Sequence, residues 1–143
     1  MSHVYYFVIV GTDDTPLYES ELGLQFKDTA PSAKKEEARY LNQFVAHAAL
    51  DIIDEAVCAT NDLYLRTVDK YNELNVSCYV TPSNIRFILL HDNKADDSIR
   101  QFFIECHELY IKILCNPFYM INTPITSAPF DIRVKSLARR HLL

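Results

Sequence analysis

Two glycines, Gly11 and Gly23, are all that the 143 residues contain. A loop that cradles phosphate needs several, because only a backbone without Cβ can bring its amides close to the oxygens. There is no G-x-G-x-x-G run and no Walker-type loop, which excludes the usual modes of nucleotide binding. Cations are scarce too. Lys and Arg number 14 against 19 Asp and Glu, for a formal net charge of −5. That is the wrong balance for a nucleic-acid binder, whose affinity rests on clustered cations facing phosphate. Long apolar runs are missing as well. The longest, Val4 to Val10, falls far short of the roughly 20 residues that cross a bilayer. It has no basic leader and no small-residue cleavage site, so no signal peptide is expected. Cys58, Cys78, Cys106 and Cys115 are widely spaced with no C-x-x-C pair, and reduced cytosolic thiols are the expectation.

What is present describes one folded domain spanning 1–143. A hydrophobic content of 49% and a charged content of 23% suit an ordinary globular protein, and the length suffices for a core without staples. His3 to Val10 is apolar on both parities, as in a central strand covered on both faces. The 11–16 turn leads to an alternating strand, Leu17 to Leu22. A loop at 23–33 precedes a helix from near Lys34 to about Thr60. Strands follow at 63–71, 76–81 and 85–91, joined by 72–75 and 82–84. A second helix starts between Ala95 and Ser98 and buries Ile99, Phe102, Phe103, Cys106, Tyr110, Ile113 and Leu114 until Asn116-Pro117 ends it. A third, from Phe130, buries Phe130, Val134, Leu137 and either Ala138 or His141. The order is β-β-α-β-β-β-α-α, an α+β fold with an antiparallel sheet. Two strands apolar on both faces require helices on both sides of it, one helix on one face and two on the other.

The first helix is apolar around too much of its circumference. At about 100° per residue, Leu41, Val45, Ala48, Ile52 and Ala56 gather into one stripe, read as the face on the sheet. Ala46, Leu50, Ile53 and Val57 form a second stripe well over about 90° away, read as surplus. On the second helix Ile104, Ile111 and Cys115 lie off the main stripe in the same way. Such a surplus expects a partner. The candidate contacts are therefore Leu50, Ile53, Val57, Ile104 and Ile111, joined by Phe44 and by Asp51, whose carboxylate is expected half desolvated beside Phe44 and Tyr40.

Other sites read as structural. His47, Asp51 and Asp54 have a spacing that gathers metal ligands, but no His or Cys elsewhere matches it, so a solvated face is expected and no metal or cofactor. His91-Asp92 leaves a strand into a turn. Cys106 and His107 point apart on a helix, and no catalysis is expected from either. Asn116-Pro117-Phe118-Tyr119 reads as a helix stop with both aromatics tucked in. Arg133, Lys135, Arg139 and Arg140 complement the last helix dipole, so membrane contact is at most peripheral.

The strings YYFVIVGTDDTPLYE, LNQFVAHAALDIIDE, LYLRTVDKYNE, IRFILLHD, CNPFY and RRHLL resemble the sedlin family, small subunits of the transport protein particle, TRAPP. The likeness runs nearly end to end. A sister family of sedlin-like subunits shares CNPFY. The resemblance implies a longin-like fold with a five-stranded sheet of order 2-1-5-4-3. It also implies a non-enzymatic adaptor in a complex that tethers vesicles between endoplasmic reticulum and Golgi and activates a Rab GTPase by nucleotide exchange at another subunit. The implied partners are other TRAPP subunits, with SNARE or Rab-related proteins beyond them. The implied place is the perinuclear cytoplasm, peripheral to those membranes. The acidic residue closing the HAALD string, Asp51 here, is implied in joining other subunits. The alternative is a longin-type regulator that holds a SNARE helix between the first helix and the sheet. Residues 23–37 have their own sequence, and Leu74 stands where relatives carry an aromatic.

Overall fold

The computed structural model describes residues 5–21, 32–71, 74–91 and 96–141. His3 and Val4 of the expected first strand, most of the 23–33 loop, Asn72 and Glu73 of the turn, and Asp92 to Ala95 lie outside them. The elements are β1 (Tyr5–Val10), β2 (Pro16–Glu21), α1 (Ser32–Ala59), β3 (Tyr64–Tyr71), β4 (Leu74–Val80), β5 (Arg86–His91), α2 (Asp96–Leu114) and α3 (Ala128–His141). This is the expected order. The start of α3 is two residues earlier than expected, because Ser127 caps it. Its hydroxyl accepts from the Phe130 amide at 3.4 Å and its carbonyl from the Asp131 amide at 3.2 Å. Asp131 then sits in the first turn, where the positive helix end favours a carboxylate.

The sheet runs β2-β1-β5-β4-β3, antiparallel throughout. Its centre, β1 and β5, is the pair of strands apolar on both parities. Alternation along them sorts the core into two layers. Phe7, Ile9, Phe87 and Leu89 face α2 and α3, where Phe7 meets Phe102 edge-on at 5.2 Å. Tyr6, Val8, Ile88 and Leu90 face α1. Each such side chain, fully buried, contributes about 1.5–3 kcal/mol. One helix on one face and two on the other is the arrangement that results.

Three turns place a non-glycine residue in the left-handed region, Asp14 (φ 62°), Asn84 (φ 63°) and Asn122 (φ 63°), residue types that tolerate it. Gly11 serves a close approach. A Cβ there would stand 2.8 Å from the Asn122 Oδ1, which accepts from the Thr12 amide while the Asn122 amide group donates to the Thr12 hydroxyl. The connection between α2 and α3 is thereby fastened to the β1–β2 turn.

The orientation of α1 is the main correction. The stripe on the sheet is Ala46, Ala49, Leu50 and Ile53, flanked by Val45 and Val57. Leu50 and Ile53 are core residues, and Val57 is half-buried against the same layer. Of the stripe expected there, only Val45 is buried, while Leu41, Ala48 and Ile52 are exposed. The two stripes have similar apolar content, so periodicity alone does not set the rotation. The other rotation would bring Glu55 to the margin of an apolar sheet face, where an unpaired carboxylate is strongly disfavoured. Small Ala46 and Ala49 also let the helix lie close to the sheet.

On α2 the expected stripe is buried as far as Tyr110, but Ile113 is half-buried and Leu114 exposed. On α3, Phe130, Val134 and Ala138 are buried, while Leu137 and His141 are half-buried and the His141 imidazole pairs with Glu105.

Candidate partner-binding surface

α1 presents to its outer side a row built from the i, i+4, i+7, i+11 positions Tyr40, Phe44, His47 and Asp51, all exposed. Tyr40 is 65% and Phe44 67% exposed, and Leu41 and Ile52 stand beside the row at 42% and 37%. Large apolar side chains are thus left in water along one helix, with carboxylates at its far end. Asp51 is solvated rather than half desolvated. Asp54 belongs to a different arrangement: it accepts from Arg86 Nη1 at 3.4 Å. The Arg86 side chain is only 2% exposed. Its other terminal nitrogen donates to the Gly11 carbonyl at 2.8 Å and pairs with Asp14. One buried guanidinium therefore ties α1 to the β1–β2 turn, and the sequence reading did not find it. An Arg in an apolar strand, with acids in a neighbouring turn and helix, was the available signal.

Of the remaining candidates, Ile111 is exposed and Ile104 is half-buried against the α2–α3 layer. Phe44 and Asp51 share the outer row of α1, whereas Leu50, Ile53 and Val57 turn to the sheet. These seven residues do not form one surface. The Asn116-Pro117-Phe118-Tyr119 segment also differs from expectation. Phe118 is 93% exposed, and Met120 and Ile121 are exposed with it. Only Tyr119 tucks in, its hydroxyl donating to the Thr123 carbonyl at 2.7 Å. An Asn116 side-chain turn onto the Phe118 amide fixes the loop and holds the Phe ring outward.

Beside the α1 row lies a groove of about 930 Å³ along the outer edge of β2, between α1 and the 124–128 segment. Val8, Val10 and Leu50 supply apolar lining, Phe44 one wall and Ile125 the other. The Ile125 amide donates to the Leu17 carbonyl at 2.7 Å, bracing that wall against β2. Side-chain donors orient carboxylates at the groove. The Tyr6 hydroxyl donates to Glu19 at 2.7 Å, Gln43 to the same carboxylate at 3.0 Å, and the Tyr18 hydroxyl to Asp131 at 2.6 Å. That last bond, helped by Lys135, holds the Asp131 carboxyl below its ordinary range, while burial and the Asp131 bond push the Tyr18 phenol up.

The groups read as structural have structural surroundings. His91 is buried with its Nε2 2.7 Å from the Ser77 hydroxyl. Burial pushes the Cys106 thiol well up, away from thiolate chemistry. His107 turns to Tyr79, 3.3 Å from its hydroxyl, and burial lowers its pKa. Among the described residues no three of His, Cys, Asp and Glu gather as a metal site, and no helix is long and apolar enough to cross a membrane.

The fold and this surface define a longin-like α+β domain that exposes apolar side chains on a helix packed over its sheet. The chain belongs to the sedlin family, whose model matches residues 9–140. It is 47% identical to the transport protein particle 20 kDa subunit of Schizosaccharomyces pombe, over 96% of this chain and 98% of that one. It is 46% identical to the probable trafficking protein particle complex subunit 2 of Drosophila melanogaster, over 97% of each. With the trafficking protein particle complex subunit 20 of Saccharomyces cerevisiae it shares 34% identity over 96% of this chain and 97% of that one.

Proposed function

We propose that this chain is a non-enzymatic adaptor subunit of a trafficking particle complex, acting in the cytoplasm at the periphery of endoplasmic reticulum and Golgi membranes. In this reading it supports assembly of a complex whose Rab nucleotide exchange resides in another subunit. The supporting observation is the outer row of α1, where Tyr40 and Phe44 are about two-thirds exposed although folding alone gives no reason to keep them apolar. Aromatic side chains of this kind are the anchors that dominate protein interfaces. Asp51, at the acidic end of the same row, is the proposed polar contact, with Ile111 a further one. The inward Leu50, Ile53 and Val57, and half-buried Ile104, act through the fold that presents this row. The experiment is co-expression with the other particle subunits followed by size-exclusion chromatography. The chain is expected to migrate with them, and Phe44→Glu is expected to release it still folded. A chain that stays monomeric beside every other subunit refutes the proposal.

The groove between α1 and the sheet edge favours a second reading, a regulator that binds a SNARE helix. Titration with a labelled SNARE helix tests it. Saturable binding lost in Phe44→Glu supports it, and no binding rejects it.

A further inference from the structure

The connection between α2 and α3 is without charge. From Ile113 to Phe130 the chain carries no Asp, Glu, Lys, Arg or His, the longest such stretch in a sequence that is 23% charged. Its tip stands in water all the same. Phe118 is 93% exposed, and Met120 and Ile121 are each 72% exposed. The polar side chains of 116–123 turn back on the chain. Asn116 Oδ1 accepts from the Phe118 amide, the Tyr119 hydroxyl donates to the Thr123 carbonyl, the Thr123 hydroxyl donates to the Met120 carbonyl, and Asn122 is engaged with Thr12. Two backbone bonds close successive turns, from the Tyr119 amide to the Asn116 carbonyl at 3.1 Å and from the Thr123 amide to the Met120 carbonyl at 3.3 Å. The tip therefore offers carbon on a braced backbone. A protein interface carries about one hydrogen bond per 100–200 Å² inside a polar rim, and these side chains have already spent their hydrogen bonds within the chain. The boundary of a bilayer asks for the opposite: apolar side chains on a backbone that satisfies its own polar groups.

We propose that the 117–121 loop is a shallow membrane anchor, which lowers Phe118, Met120 and Ile121 into the boundary between headgroups and acyl chains of a phospholipid bilayer. Charge takes no part in it. The tip has none, and a net charge of −5 disfavours anionic lipid, so zwitterionic phospholipid is the surface it fits. The helices that carry the loop pack on the sheet face opposite α1, and the assignment does not rest on the outer row of α1.

The chain has no tryptophan, so Phe118→Trp supplies a single fluorescent reporter at the tip. The full chain carrying it is titrated with sonicated vesicles of phosphatidylcholine and phosphatidylethanolamine, up to millimolar lipid. A saturating blue shift and quenching by brominated acyl chains are expected. Added salt should change little, because apolar insertion is not screened. Met120→Asp and Ile121→Asp, each placed in the reporter chain, should weaken binding about tenfold or more. Their Tm should stay put, since both side chains are exposed. If one of them lowers Tm, the other carries the test. Emission unmoved by vesicles overturns the assignment, as does binding that survives both substitutions. Binding confined to vesicles with cationic lipid overturns it too, because the net charge of −5 accounts for that alone. A shift produced by the other particle subunits and not by lipid overturns it in favour of a protein pocket. One that follows protein concentration without lipid overturns it in favour of a second copy. A chain that binds vesicles through this tip but enters no complex refutes the adaptor reading alone. One that assembles while the reporter stays in water in the presence of vesicles refutes the anchor alone.

Discussion

Truncating Ile53 and Phe44 separately to alanine distinguishes the two sides of α1. Ile53 is fully buried against the sheet, so Ile53→Ala removes three carbon groups from a packed layer. Transfer alone gives roughly 0.8 kcal/mol per group, and the cavity left behind raises the total to about 3 kcal/mol, inside the usual range of 2–5. For a domain of this size that is a fall in Tm of roughly 10–15 °C. Phe44 is 67% exposed, so Phe44→Ala should change stability by no more than about 0.5 kcal/mol. Its effect should appear in co-purification with partner subunits, where an aromatic anchor contributes about 2 kcal/mol or more, roughly thirtyfold in affinity. Differential scanning fluorimetry of the isolated chain and pull-down at matched concentration read the two effects. If Phe44→Ala unfolds the chain as far as Ile53→Ala does, or Ile53→Ala leaves Tm unchanged, the assigned rotation of α1 is wrong.

Asp51→Lys should leave Tm within about 2 °C, because the side chain is exposed, while weakening association with other subunits in a salt-dependent way, as surface plasmon resonance at two ionic strengths would report. Asp14→Asn deprives a buried guanidinium of one counter-charge. It should cost about 1–2 kcal/mol in urea unfolding, below the 3–5 of a fully buried pair because Asp14 is half exposed and screened. Gly11→Ala drives a Cβ into Asn122 Oδ1 and should break the bonds of Asn122 to Thr12, lowering Tm by several degrees for an overpacking cost of about 1–2 kcal/mol. His107 has a lowered folded pKa, so its contribution is present above its unfolded value of about 6.5 and is lost as pH falls from there toward the folded value. Thermal melts across that window should show the loss, and His107→Gln should flatten it.

The fold was legible because its signals are local. β1 and β5 are apolar on both parities, which only a central strand tolerates, and turn residues such as Asp14 and Asn84 sit where the chain reverses. Helix rotation was not legible. Leu41, Ala48 and Ile52 match Ala46, Leu50 and Ile53 in hydrophobicity, and what decides between them is three-dimensional: the fit of Ala46 and Ala49 to the sheet and the penalty on Glu55. The same limit hid Arg86, whose partners come from a turn and a helix distant in sequence. Phe118 was misread for another reason. Its neighbours Asn116 and Tyr119 satisfy the loop internally, which fixes the backbone and turns the ring away from the core. Asp51 stood out both by its place beside Phe44 and Tyr40 and by family resemblance, but the desolvation expected from those neighbours is absent, because the aromatics themselves stand in water.

The two sides of α1 are mechanically coupled. Ala46, Ala49, Leu50 and Ile53 seat the helix on the sheet, and Arg86 joins its Asp54 to the 11–14 turn. The outer row from Tyr40 to Asp51 is therefore presented on a fixed element, and less freedom remains to be lost when a partner docks. It follows that lost assembly does not by itself identify a contact residue. A change at Ile53 lowers assembly by lowering the folded fraction, so a stabilising condition such as added osmolyte should restore it. A change at Phe44 removes the contact from a chain that is already folded, and the same osmolyte should restore nothing. Combining Phe44→Ala with Ile53→Ala should then give additive losses, because one acts on folding and the other on docking. Strong non-additivity would mean that the outer row itself moves with the core, and the helix would have to be treated as one cooperative interface rather than two independent faces.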